Sequence, residues 1–324
     1  MFCNYGQHVA EARFTPDGCC HREKRMFKDI EFPVSGTVLR GRLFLPENTT
    51  GPVPVVIAHS GIGSVAEGIH RDAPHYTGVG LGVLFYDHRG YGLSGGEPRQ
   101  LVDPWQFGRD LRDVITHLSL RPEIDASRIA VWGISLGGQV ALFVAGTDRR
   151  VGAVVALVPP VSGFSARKLF APEALKRLED AIYADRDAQM RGEPPVTLQV
   201  IGEQKPGGPP VMFTDPSGIE FTKHYNDIPS FRNELAIASL DRLFEMETPA
   251  YAERIKAPLL LVLASQDTVA PVEDARKMFE MVPGEKELLE YPGQHYGILL
   301  DRYPEIVALS ARWIAKKFGL EAGE

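Results

Sequence analysis

The sequence predicts an α/β fold, with a mostly parallel central sheet, helices on both of its faces and an inserted cap. Three observations carry that expectation. Apolar runs of strand length alternate with helix-period stretches over residues 53–160 and again over 258–324. A serine flanked by glycines, in "GISLGG", stands where one such strand breaks into an apolar helix. Between the two regions the alternation stops for residues 161–257, a segment too long for a loop and too different for the sheet.

Residues 1–25 form an irregular leader, set apart as an N-terminal arm. "FKDIEFPV" and "TVLRGRLFLP" predict a strand pair around a Ser35-Gly36 turn, which opens the first part of the core, residues 26–160. "VPVVIAHS" is a strand, a helix follows near 65–79, and "GVLFYDHRG" is the next strand. A helix starts near Pro104, capped by Asp103, with Phe107, Leu111, Val114, Ile115 and Leu118 on one face. "RIAVWG" is a strand, the helix after Ser135 follows, and "VGAVVALVP" is another strand.

Within the cap, residues 161–257, "PEALKRLEDAIYADRDAQM" and "PSFRNELAIASLDRLFEM" have amphipathic helix spacing, and the Pro/Gly-rich piece between them reads as hairpin-like. Leu175, Leu178 and Ile182 on the first helix, and Leu235, Leu243 and Phe244 on the second, are expected to roof a pocket. The second part of the core, residues 258–324, brings the strand "APLLLVLA", a helix across 272–281, the strand "KELLEYP" and a last helix over 304–318.

Composition excludes several classes of function. A net charge of −7 without a Lys/Arg stripe makes nucleic acid and anionic membrane poor partners. Apolar runs such as "PLLLVLA" are far short of a membrane span, and the N-terminus lacks the basic start and apolar block of a signal peptide. Cys3, Cys19 and Cys20, an odd count with two adjacent, argue against a disulfide framework and for a cytoplasmic location. They have neither CxxC spacing nor a histidine cluster beside them, so no metal is expected. The expected partner is a small molecule, with a homodimer left open.

The serine at the corner is the informative residue. In "GISLGG" the strand turns sharply into a helix, which leaves Ser135 strained with its hydroxyl presented. Gly133 and Gly137 suit that turn, because side chains there would collide where strand and helix cross. A serine hydroxyl is a weak nucleophile and needs a base held in one tautomer by an acid. With such an elbow the acid and then the base follow later in the chain. Asp267, in "SQDTVAP", and His295, in "GQHYGI", each lie just past a late strand, at the same sheet edge as Ser135. The glycines of "HSGIGS", residues 59–64, let backbone approach a ligand there. Ile62, Trp105 and Tyr296, with His59 and His75, are candidate pocket residues.

From about residue 26 the chain resembles the α/β-hydrolase superfamily. "DHRGYGLSGGEPR" resembles its D-x-R-G-x-G-x-S motif. "RIAVWGISLGG", "DPWQFGRDLRDVITHL" and the late Asp and His loops resemble a branch of dienelactone-hydrolase-like and fungal polyketide thiohydrolase or transferase-like proteins. The resemblance implies an α/β-hydrolase fold, with Ser135 as nucleophile, Asp267 as acid and His295 as base. It implies oxyanion donors at the N–H groups of Leu136 and Gly61, and no metal or organic cofactor. Ser60 stands where the glycine of the family's His-Gly pair is usual, and Gly61 is the residue after that pair. Dienelactone hydrolases proper use a cysteine nucleophile, so that activity is disfavoured. The expected function is hydrolysis of a small-molecule ester or thioester through an acyl-enzyme. The alternatives are acyl transfer from the same intermediate, C–C or amide hydrolysis, and a non-catalytic ligand receptor.

Overall fold

The computed structural model describes residues 27–208 and 210–320, and the N-terminal arm with its three cysteines lies outside them. β1 (Phe27–Val34) and β2 (Thr37–Phe44) pair antiparallel around Gly36, whose φ of +76° favours a residue without Cβ. β3 (Val53–His59) is buried along its whole length. The expected helix near 65–79 is instead a 3-10 turn, Ala66–Asp72, followed by the short α1 (Ala73–Thr77). Pro74 has no N–H to continue the earlier turn but suits the first turn of a new helix. β4 (Gly82–Tyr86) is followed by α2 (Pro104–Ser119), where Asp103 accepts a hydrogen bond from the Gln106 N–H at 3.0 Å, as its capping position requires. β5 (Ile124–Ile134), α3 (Leu136–Ala145) and β6 (Val151–Leu157) complete this part.

The inserted region departs from its sequence pattern. α4 (Gly163–Arg167) and α5 (Pro172–Met190) come first, then β7 (Thr197–Ile201) and β8 (Val211–Phe213), which pair parallel rather than as a hairpin. Their connection is longer than a tight hairpin turn, and Pro210 offers only its carbonyl, which accepts the Gln199 N–H. α6 (Pro216–Thr222) follows, and β9 (Glu234–Ala236) pairs antiparallel with β7. The expected second helix is therefore only its last part, α7 (Ala238–Glu245). Asn233 explains the difference: its side chain accepts from the Ile201 N–H and donates to the Ile201 carbonyl, at 3.0 and 2.6 Å, clamping this segment to β7.

The sheet resumes with β10 (Leu259–Ala264), α8 (Val272–Met281) and β11 (Lys286–Tyr291), and the chain ends in α9 (His295–Asp301) and α10 (Tyr303–Lys317). The strand order is β1-β2-β4-β3-β5-β6-β10-β11, and every pairing from β4 to β11 is parallel. Alternate residues of β3 feed opposite cores: Val55 and Ile57 one side, Val56 and Ala58 the other. Each such Val or Ile, fully buried, contributes roughly 1.5–3 kcal/mol of hydrophobic stabilisation. The carboxyl ends of β3, β5, β10 and β11 consequently share one edge, and the loops that follow them carry Gly61, Ser135, Asp267 and His295.

Candidate active site

Ser135 sits between β5 and α3 with φ +51° and ψ −118°, a left-handed backbone that a non-glycine residue adopts under strain. Its own N–H donates to the Leu157 carbonyl at 2.8 Å, which holds the turn against β6. A Cβ on Gly133 would lie 2.2 Å from the Gly137 backbone, and one on Gly137 would lie 2.6 Å from the Ser60 carbonyl. Strand, helix and the loop after β3 thus meet at a separation only glycine allows. The first turn of α3, beginning at Leu136, leaves N–H groups without intrahelical partners beside the hydroxyl.

The three sequence-derived polar residues come together. The Ser135 hydroxyl lies 3.1 Å from His295 Nε2, and His295 Nδ1 lies 2.7 Å from Asp267 Oδ2. A carboxylate only accepts, so the proton of the imidazole belongs on Nδ1, leaving Nε2 to accept from Ser135. Asp267 Oδ1 accepts the N–H groups of Val269 and Ala270, both at 2.8 Å, and the Asp267 and His295 side chains are each 2% exposed. The carboxylate is therefore fixed by its own loop before it fixes the imidazole.

Gly61 lies alongside: a Cβ built on it would be 3.5 Å from Ser135 Cβ. The loop is tied to the core by buried Asp87, whose Oδ1 accepts the Ala66 N–H at 2.7 Å and whose Oδ2 accepts the Leu93 N–H at 2.8 Å. Burial raises the Asp87 carboxyl above its ordinary value, against the lowering effect of those two bonds. Beneath the loop His59 Nδ1 and His88 Nε2 are 3.1 Å apart, and burial holds both imidazoles below their ordinary value, His88 at about 3. Both are thus neutral, and His59 belongs to the support of the site.

A cavity of about 30 Å³, room for roughly one water, opens beside Ser135 and His295. Ile62 and Tyr296 line it, as does Gly61. Burial raises the Tyr296 hydroxyl above its ordinary value, so it stays protonated. Trp105 does not line this cavity: it packs edge-on against Phe143 and Tyr251, with ring centroids 5.1 and 6.0 Å away. His75 is likewise absent from the lining. The opposite wall comes from the insertion, through Val200, Ile201, Phe221, Tyr225, Phe231 and Asn233. None of the six apolar positions expected to roof the pocket is among the lining residues, because Leu235 pairs within the small sheet and α5 turns mainly Ile182 inward. The sequence reading missed this wall; Gly63 and Gly68, which the insertion packs against, are the features that could have signalled it. Among the described residues no group of three or more His, Cys, Asp or Glu is placed to hold a metal ion, and no helix is long and apolar enough to cross a membrane.

Comparison with known proteins adds a family. The profile described as Serine aminopeptidase, S33 matches residues 50–302. The thiohydrolase aneE of Aspergillus aculeatus is 29% identical over 317 residues, covering 93% of this chain and 98% of that protein. A polyketide transferase of Stachybotrys chlorohalonatus is 30% identical, covering 81% of this chain and 87% of its own. Among solved structures, DcsB in complex with its substrate analogue superposes with a TM-score of 0.77 at 30% identity, over 92% of this chain and all (100%) of that one. The α/β hydrolase GrgF of a Penicillium species gives a TM-score of 0.75 at 25% identity, over 90% of this chain and 98% of that one.

Proposed function

The chain belongs to the serine aminopeptidase S33 family of α/β hydrolases, and from that premise we propose that it cleaves a neutral small-molecule ester or thioester through an acyl-enzyme on Ser135. One observation carries the proposal. The Ser135–His295–Asp267 hydrogen-bond chain opens into a cavity whose lining contains no Asp, Glu, Lys or Arg. An aminopeptidase must hold its substrate's free ammonium, and an uncompensated charge in such a lining is costly. A neutral acyl group has no such requirement. The relatives named thiohydrolase and polyketide transferase favour the same choice.

In this mechanism Ser135 attacks the acyl carbon while His295 Nε2 takes its proton. Asp267 holds the imidazole in the tautomer that can accept, and stabilises the imidazolium that forms. The N–H groups of Leu136 and Gly61 receive the oxyanion. His295 then returns the proton to the departing alkoxide or thiolate, leaving the acyl-enzyme. A water, deprotonated by His295, attacks that ester, and the second tetrahedral intermediate releases the acid and restores Ser135. Residues 161–257 serve as the cap. Its wall of Val200, Ile201, Phe221 and Tyr225 would lie against the acyl group.

Acyl transfer is the second reading, favoured by relatives named polyketide transferase and acyltransferase. It differs only in the acceptor that replaces water. The test offers thioesters, p-nitrophenyl esters and aminoacyl p-nitroanilides, with and without an added alcohol. Turnover of the first two and not the third is the expected result. New ester formed in proportion to added alcohol would favour transfer, and preferential turnover of the anilide would overturn the proposal.

A further inference from the structure

Two insertion side chains sit directly on the loop that carries Gly61. A Cβ built on Gly63, whose φ is +72°, would lie 3.1 Å from Val200 Cγ2, and one built on Gly68 would lie 2.1 Å from Tyr225 Cε1. The loop receives the insertion at two of the three places where it has no side chain. The buried Tyr225 hydroxyl faces the Ser64 side chain: burial raises its pKa, against a lowering by that neighbour. On the core side Asp87 accepts the Ala66 N–H. The loop's own turn is closed by a longer bond, Ser64 N–H to the Gly61 carbonyl at 3.2 Å, the outer limit of good geometry. Residues 61–68 are thus gripped from two sides, by the sheet through Asp87 and by the insertion through Val200 and Tyr225.

We propose that Tyr225 is a positioning residue: seated on the bare face of Gly68, with Ser64 beside its hydroxyl, it holds the loop so that the Gly61 N–H meets the oxyanion, and the site is complete only while the insertion is seated. The inference rests on the proposed roles of Ser135 and Gly61. Its consequence is selective. Stabilisation of an oxyanion is realised in the transition state, so a loosened loop costs kcat and leaves ground-state binding in place. Full catalytic power then depends on the seating of the insertion against the loop.

The test uses Tyr225→Phe, which removes the hydroxyl, Gly68→Ala, which displaces the ring, and the double variant. Gly68→Ala keeps the hydroxyl and carries the test should Tyr225→Phe not fold. Active sites are titrated with a fluorophosphonate, kcat and KM are measured on the N-acetylcysteamine thioester of hexanoic acid, and phenylboronic acid serves as the tetrahedral mimic. Complete loss of an oxyanion donor costs roughly 10²–10³ in kcat, so a misplaced one should cost about tenfold per titrated site, with KM changed less than about twofold. Phenylboronic acid should weaken by the same factor. The double variant should lose no more than the worse single one, because both release one contact. Tyr183→Ala, on an exposed position of α5, should leave both constants unchanged. Unchanged kcat, a rise in KM alone, or additive losses would overturn the role of Tyr225 while leaving Ser135 its own. Failure of wild-type Ser135 to react with the fluorophosphonate would overturn the catalytic reading and this inference together.

Discussion

Asp267 divides its two oxygens, one for the imidazole and one for the N–H groups of its own loop. Asp267→Asn keeps the size but presents an amide where the imidazole needs an acceptor, favouring the wrong tautomer. We expect kcat to fall by on the order of 10⁴ with the melting temperature nearly unchanged; a loss below about tenfold would mean that another acid serves. Ser135 offers a second test, because its positive φ is strain that only the hydroxyl's position justifies. Strain of this kind costs about 1–3 kcal/mol, whereas glycine loses roughly 0.5–1 kcal/mol to its freedom in the unfolded chain. Ser135→Gly should therefore be the more stable protein in urea when set beside Ser135→Ala, both being inactive. Equal midpoints would show that the elbow stores nothing.

At the scale of elements, the core was readable because its strands are continuous apolar runs and its helices are periodic. Asp103 before α2 and the glycines around Ser135 mark their boundaries through local chemistry alone. The insertion was not readable in the same way. β8 and β9 are three-residue strands made by pairing with β7, and Asn233 overrides a helical pattern by clamping Ile201. Amphipathic spacing located α5 and α7 but not the wall of the site, which the loops and β7 supply. The consequence is a contrast between two substitutions. Phe221→Ala, in the cavity wall, should shift preference along a series of acyl thioesters of graded length by roughly tenfold or more. Leu235→Ala, fully buried in the small sheet, should cost about 2–5 kcal/mol of stability and leave the ranking unchanged. Kinetics of kcat/KM across the series, beside urea unfolding, decide the matter. The reverse pattern would place Leu235, rather than Phe221, at the wall of the site.

Over the whole molecule, the buried His59–His88 pair links stability to pH. Burial holds His88 at about 3 and His59 well below its ordinary value, whereas in the unfolded chain both titrate near 6.5. Below about pH 6.5 the unfolded state binds more protons, so stability present above that pH is lost on acidification toward the folded values. Asp72 and Asp87, raised by burial, act with the opposite sign and only nearer the carboxylate range. Stability in urea should thus fall between pH 7.5 and 5.0, by on the order of 1–2 kcal/mol from His88, with His59 acting in the same direction. A flat profile would contradict the neutral pair. The central claim, that the fold exists to present Ser135 as an acyl acceptor, is tested most directly by intact-protein and peptide mass spectrometry after fluorophosphonate treatment. A single adduct on the peptide containing Ser135, lost together with thioesterase turnover in Ser135→Ala, is the predicted result; an adduct elsewhere, or turnover surviving in Ser135→Ala, would contradict it.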